Sequence, residues 1–290
     1  MTSFWSGWII VLTVISLILV TWLLIANKSG KAGQTTGHIY DGIEEYDNPL
    51  PMWWFYMYII TVIFAIGYLI AYPGMGNFKG VLDWTQVNQY ESRIAEAEAR
   101  YGPLFAQHAA TPIEELAGDD KAMKMSQRIF ANNCAQCHGS DAAGGFGFPN
   151  LTDDNWLYGG SAEQIKASIT HGRNGVMPGW KDALGEQGLI NVTAYVQSLN
   201  GRPVDEVLAT KGAAQFATFC VACHSQDGKG NQMMGAPDLT NNNWLYGGSP
   251  TQIKFTIANG RGGKMPPHRE LLSENKIHLL SAYVYGLSHK

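Results

Sequence analysis

The sequence holds four cysteines in 290 residues, and all four lie in two short pentads. No thiol remains for a disulfide or for a separate metal site. Residues 1–27 contain no charged side chain, so the chain lacks the basic opening stretch of a secretory signal peptide. Basic residues do not outnumber acidic ones: 20 Lys and Arg stand against 24 Asp and Glu, for a net charge of −4. Nucleic acid is therefore not an expected partner, because its phosphates call for a basic surface. The two long apolar runs contain no histidine, so no histidine-ligated metal centre is expected inside them.

What is present starts with the pentads, Cys134-Ala-Gln-Cys137-His138 and Cys220-Val-Ala-Cys223-His224. The spacing Cys-x-x-Cys-His is that of covalent c-type haem attachment. Two thiols add across the haem vinyls, and the next histidine reaches the iron. Two haems c are expected, held by Cys134 and Cys137 and by Cys220 and Cys223, with His138 and His224 as axial ligands. Two Cys-x-x-Cys pairs can also build one zinc site. Zinc does not call for a histidine after each pair, nor for each pair to sit in its own copy of a repeat.

The repeat is plain. Asn155-Trp-Leu-Tyr-Gly-Gly-Ser161 returns as Asn243-Trp-Leu-Tyr-Gly-Gly-Ser249, 88 positions on, while the cysteines recur after 86. The two extra residues lie in a Gly-rich stretch before Pro237, where a surface loop tolerates them. Each copy is expected to be one compact haem domain whose small core the haem completes. Met177 and Met265 are 88 apart, each before proline in a Gly/Pro-bounded loop. A thioether there suits a sixth iron ligand, and His/Met ligation fits electron transfer. Met233 and Met234 have no counterparts in the first copy. Arg173 and Arg261 precede the methionines by four residues, and a guanidinium fork suits a haem propionate. Trp156 and Trp244 are placed to pack on the haem edge or to donate an indole N–H. His171 aligns with Asn259, and His108, His268, His278 and His289 have no repeat partners. Helices are expected over 121–133, 187–199, 211–219 and 274–287. They carry Phe130, Phe216, Tyr195 and Tyr283. Helix, pentad, methionine loop and closing helix together resemble a class I cytochrome c domain, twice over.

Trp5–Ile25 and Met52–Tyr72 are uncharged runs of 21 residues each, long enough to cross a bilayer. Aromatics cluster near their ends, as interfacial belts do. Lys28 and Lys31 lie between the runs, and no Lys or Arg precedes them. The positive-inside rule then puts that loop in the cytoplasm and the rest of the chain outside. The expected organisation is mainly α. Residues 1–51 are a first transmembrane helix and a cytoplasmic loop, and 52–72 a second transmembrane helix. Residues 73–120 are an acidic periplasmic linker with a helix over 84–101, capped by Asp83 and stopped by Gly102-Pro103. Two tandem class I cytochrome c domains follow, 121–203 and 204–290. Segment charges of −7, +1 and +2 for 1–120, 121–203 and 204–290 put the acidity before the haem domains.

Asp47-Asn-Pro-Leu-Pro-Met-Trp-Trp54, just before the second run, together with the two pentads, resembles the dihaem subunit III of cbb(3)-type cytochrome c oxidases. The likeness covers about residues 38–290. The first span departs from the many members with a single membrane helix. The resemblance implies an electron-input subunit in the bacterial inner membrane with its haem domains in the periplasm. A soluble cytochrome c is the donor. The monohaem subunit and the catalytic haem–copper subunit are the partners, with proton-pumping reduction of dioxygen to water in the last. No catalytic residue is expected in this chain. Two other readings use the same residues: the anchored cytochrome of a periplasmic dehydrogenase, and a dihaem peroxidase, which would need one iron to open a ligand position.

Overall fold

The computed structural model describes residues 1–31 and 33–289. The chain divides into two compact units, residues 1–100 and 101–290.

The first unit is a helical hairpin. Helix α1 runs Ser3–Ala26 and α2 runs Met52–Ala71, neither with an acidic or basic residue at its ends. Their 24 and 20 residues span about 36 and about 30 Å at about 1.5 Å per residue, the thickness of a bilayer core. The backbone N–H of Asn77, just past α2, donates to Ser6 Oγ near the start of α1 at 2.8 Å. Leu17, Thr21 and Ile25 of α1 line a shallow apolar groove with Val62 and Ile66 of α2. The two helices are therefore antiparallel. Along both, side chains such as Phe4, Ile18, Ile63 and Phe64 are exposed. Such a surface is stable against lipid rather than water. A hairpin of strands β1 (Thr35–Tyr40) and β2 (Ile43–Tyr46) lies between them. Its turn is Asp41-Gly42, at φ 49° and 84°. Asp-Gly between apolar residues is a strong signal for such a turn, although the sequence reading above assigns no strand there.

Helix α3 runs Gln86–Ala109 with Pro103 inside it, which corrects the expected stop at Gly102-Pro103. The last turn is held by packing: Phe105 lies against a core cluster of Ile113, Leu116, Ala122, Ala162, Leu279 and Ala282. The cap is also corrected. Thr85 Oγ1 accepts from the Asn88 N–H at 2.9 Å, while Asp83 sits upstream in the left-handed region at φ 45°. The expected linker 73–120 is thus not one separate segment. Its last part, with α4 (Ile113–Leu116), belongs to the core of the second unit.

The second unit is built on the repeat. Helix α5 (Asp120–Asn133) and short α6 (Ala135–His138) match α9 (Glu206–Phe219) and α10 (Val221–His224). Asp119 and Asp205 cap α5 and α9, each accepting two backbone N–H groups. Helix α7 (Ala162–His171) matches α11 (Pro250–Asn259). Each opens on a capping box, Ser161 with Gln164 and Ser249 with Gln252. The repeated Ser-x-x-Gln carries that signal in the sequence, but these two helices are absent from the expectations above. Strands β3 (Arg173–Met177) and β4 (Arg261–Met265) follow, then α8 (Lys181–Leu199) and α12 (Glu274–Ser288). Helix α8 is interrupted at Gly185, φ 62° and ψ 178°.

The methionines therefore end strands, where loops were expected. β3 and β4 form an antiparallel ribbon in which Arg173 faces Met265 and Met177 faces Arg261. Beyond the ribbon each chain segment crosses to the other repeat. Helix α12 packs on α5 and α7, burying Phe130, Ile165, Ile169, Ile277, Leu280 and Val284 in one cluster. Helix α8 packs on α9 and α11, burying Leu189, Val192, Val196, Phe216, Ile253 and Ile257 in another. This corrects the expectation that each repeat is a compact domain by itself. The physical reason lies in two connections. Residues 200–205 form a short link between α8 and α9, which favours packing these two as neighbours at small loop-closure cost. The ribbon carries the other segment across in the opposite direction.

Candidate functional site

Each pentad starts where a helix ends. Cys134 is the C-cap of α5 and Cys220 the C-cap of α9, and the next four residues make one further turn ending on the histidine. That turn puts the two thiols of each pentad and its histidine along one short stretch of backbone. None of the four cysteines is in a disulfide. Burial, then the neighbouring thiol, pushes Cys134 and Cys220 up to about 11, so both are held protonated.

The histidines are oriented alike. His138 Nδ1 is 3.1 Å from the carbonyl oxygen of Pro149, and His224 Nδ1 is 3.2 Å from that of Pro237. An Nδ1–H donating to a carbonyl leaves the Nε2 lone pair free for a metal. Burial pulls both rings below the ordinary imidazole range against the opposing carbonyl contact, so the neutral, ligating form is favoured. Among the described residues, no three or more His, Cys, Asp or Glu side chains converge on one point. The two pentads thus do not assemble a shared zinc site.

The methionines approach the pentads of the opposite repeats. Met265 packs on the cluster that also holds Cys134 and Trp156, and Met177 on the cluster that holds Cys220 and Trp244. Two glycines permit this. Gly172 and Gly260 have φ of 69° and 73°, and a Cβ on either would sit 2.3 Å from the carbonyl oxygen of Met265 or Met177 respectively. Met233 and Met234 are exposed and join neither cluster.

Arg173 Nε donates to Ser168 Oγ at 2.8 Å and its guanidinium lies 4.7 Å from the Tyr158 ring centre. Arg261 donates to Thr256 Oγ1 and lies 4.3 Å from the Tyr246 ring. Both arginines are thus fixed in place beside the repeated tyrosines, which the sequence reading passed over. Trp244 Nε1 is buried with no hydrogen-bond partner among the described residues. Arg202 lies 5.5 Å from the Trp244 ring and donates to the Gly248 carbonyl. An orphaned indole donor beside a guanidinium fits a carboxylate such as a haem propionate. With two unbridged cysteines, an oriented imidazole and an apolar wall at each pentad, the residues present fit haem c. His268, set aside in the sequence for want of a repeat partner, stands out in the structure. It is buried, and its Nδ1 has no hydrogen-bond partner among the described residues. The other unpaired histidines have local roles: His278 Nε2 is 2.8 Å from the Thr111 carbonyl oxygen, and His108 lies 3.5 Å from Asp119.

Fold and site define a class: a membrane-anchored cytochrome c with a duplicated haem-attachment unit. The comparisons narrow it. Residues 32–79 match the family model "N-terminal domain of cytochrome oxidase-cbb3, FixP". Residues 121–196 and 207–284 match "Cytochrome C oxidase, cbb3-type, subunit III". The chain is 46% identical over 291 residues to the cbb3-type cytochrome c oxidase subunit CcoP of Rubrivivax gelatinosus, covering 99% of this chain and 95% of that protein. It is 40% identical to subunit FixP of Azorhizobium caulinodans over 87% of this chain and 92% of that one. Subunit CcoP of Cereibacter sphaeroides is 38% identical, over 87% and 94%. The chain belongs to the family of cbb3-type cytochrome c oxidase subunit III. It is a membrane-anchored, haem c-bearing subunit with an electron-transfer role, and other oxidase subunits are its partners. The Rubrivivax alignment takes in nearly the whole chain.

Proposed function

We propose that this chain is the dihaem electron-input subunit of a terminal oxidase. It carries two covalent haems c, one on each pentad, on the periplasmic side of a bacterial inner membrane. It takes electrons from a soluble cytochrome c and delivers them, by way of the monohaem subunit, towards the haem–copper catalytic subunit. The observation that carries the reading is the double site: two pentads, each on its own apolar cluster, each with an imidazole whose Nδ1 meets a proline carbonyl.

Haem c, when bound, supplies a one-electron couple at neutral pH. The chain's own residues do the rest. Cys134, Cys137, Cys220 and Cys223 attach the group. His138 and His224 present neutral Nε2 atoms, with the proton kept on Nδ1. Met177 and Met265 would supply thioethers to the bound group, and sulfur ligation favours the reduced state. Phe130, Ile165 and Leu280 around one site, and Phe216, Ile253 and Val192 around the other, exclude water. Low local polarity limits the rearrangement that accompanies each electron. The antiparallel hairpin supports the topology. It returns the chain to the side of its N-terminus, opposite Lys28 and Lys31. Lys28 Nζ lies 4.8 Å from the Phe55 ring, an anchoring arrangement suited to the cytoplasmic interface.

The test is purification from native membranes in mild detergent, with haem-typed difference spectra and mass spectrometry of what co-migrates. Haem b, copper and a polytopic chain travelling with two haems c per copy of this chain are expected. A periplasmic dehydrogenase in their place would transfer the chain to the other end of the electron path.

A further inference from the structure

We propose that residues 86–100 of helix α3 pair, in parallel, with the same segment of a second copy of this chain. The segment belongs neither to the membrane helices nor to the haem-attachment sites. Every residue from Gln86 to Arg100 is exposed, and among the described residues none of them joins a hydrophobic cluster. Val87, Tyr90 and Ile94 stand 61%, 65% and 49% exposed. About 15 helical residues without tertiary packing are marginal in water, so the apolar side of this segment calls for a partner.

The spacing of the apolar residues defines the kind of partner. Val87, Tyr90, Ile94 and Ala97 are three, four and three positions apart, the a-d-a-d seam of a heptad repeat. A seam that narrow fits one other helix. A helix lying on lipid has a broader apolar face and a basic polar one, whereas this segment carries Glu91, Glu96 and Glu98 with Arg93 and Arg100. β-branched residues at a, as Val87 and Ile94 are, favour two parallel strands. The flanking charges select a second copy. Glu91 and Glu98 occupy the e positions on one side of the seam, and Arg93 a g position on the other. In a parallel pair a g residue faces the e residue of the next heptad across the seam. Arg93 of each copy then meets Glu98 of the other. An antiparallel pair would set e against e and g against g, which places like charges together. The anchor sets the same direction. Residues 72–85 separate α2 from α3, so two copies held the same way round in one bilayer raise α3 from the same face. Anchoring also raises the effective concentration of the second copy. The hydrogen bond from Ser92 Oγ to Glu96 Oε1, at 3.4 Å, joins positions f and c and leaves the seam clear.

The test uses the full, haem-loaded chain in native membranes, with one added cysteine at a time and a mild oxidant. Ala97→Cys, in the seam, is expected to give a disulfide-linked pair of chains on a non-reducing gel. Two thiols join there, and their two protons and two electrons leave to solvent and oxidant. Ala99→Cys, at the outer position f, is expected to stay single, and the unaltered chain controls for its own four cysteines. Equal linking at 97 and 99 would mean random collision and would overturn the pairing. No linking at 97 overturns it too. A link from Ala97→Cys to a different protein also overturns it and gives the seam to another subunit. Charge exchange is the second readout. Arg93→Glu and Glu98→Arg, each added to Ala97→Cys, are each expected to lose most of the linked fraction. The two together are expected to restore it, because each copy then carries the reversed pair. Failure to restore it overturns the parallel register. Covalent haem content is expected to match the unaltered chain in every variant, so the outcome is read apart from the dihaem reading.

Discussion

Phe130 and Tyr283 stand with ring centres 5.3 Å apart and planes at 52°, although one lies on the helix that enters the first pentad and the other on the last helix of the chain. Phe130 is almost fully buried, and the contact closes the core cluster that Cys134 packs against. Truncating a buried phenylalanine costs about 3–5 kcal/mol. Phe130→Ala is therefore expected to lower the unfolding temperature of the haem-loaded chain in detergent, with Phe216→Ala acting similarly. Soret absorbance during a thermal ramp reads it; a variant that melts with the parent chain would show that the pair does not close the core.

The glycines before the arginines are expected to be intolerant. Gly172→Ala places a Cβ 2.3 Å from the Met265 carbonyl oxygen on a backbone at φ 69°. Both effects push the ribbon away from α7. A left-handed glycine replaced by alanine costs about 1 kcal/mol or more, and here the close approach adds to it. The visible consequence is a weakened thioether charge-transfer band with haem still attached. An intact band in Gly172→Ala would mean that the ribbon has room to shift.

Exchanging a thioether for an imidazole lowers a haem potential. Met265→His and Met177→His are each expected to lower one of the two midpoint potentials in a redox titration and to leave both haems covalently bound. Two unmoved potentials would remove the methionines from the iron.

The cap of α5 makes a pH prediction. Backbone N–H groups of Ala122 and Lys121, the largest causes, hold the Asp119 carboxyl below its ordinary range. A carboxyl lowered on folding stabilises the folded chain above its unfolded pKa, and that stabilisation is lost as the pH falls through the lowered folded value. Asp119→Asn keeps an N-cap acceptor that does not titrate there. Its melting temperature is expected to fall less than that of the parent chain as the pH is taken below the ordinary carboxyl range. Parallel acid profiles would show that the cap contributes nothing to the pH dependence.

The local chemistry was legible in the residues. Cys-x-x-Cys-His and an uncharged run of 21 residues each carry their meaning within a few positions, because covalent attachment and bilayer thickness impose short-range rules. The helices running into the pentads were legible for the same reason, and Asp41-Gly42 and the two Ser-x-x-Gln boxes carried signals for the elements left unassigned. Which repeat partners which was not legible. The repeats place equivalent residues 88 apart, so Lys166 finds an equivalent glutamate in either copy, and Phe130 an equivalent tyrosine. Local pattern favours neither arrangement. Only the tertiary structure decides, through the short link that lays α8 on α9 and the five-residue ribbon that carries each methionine across.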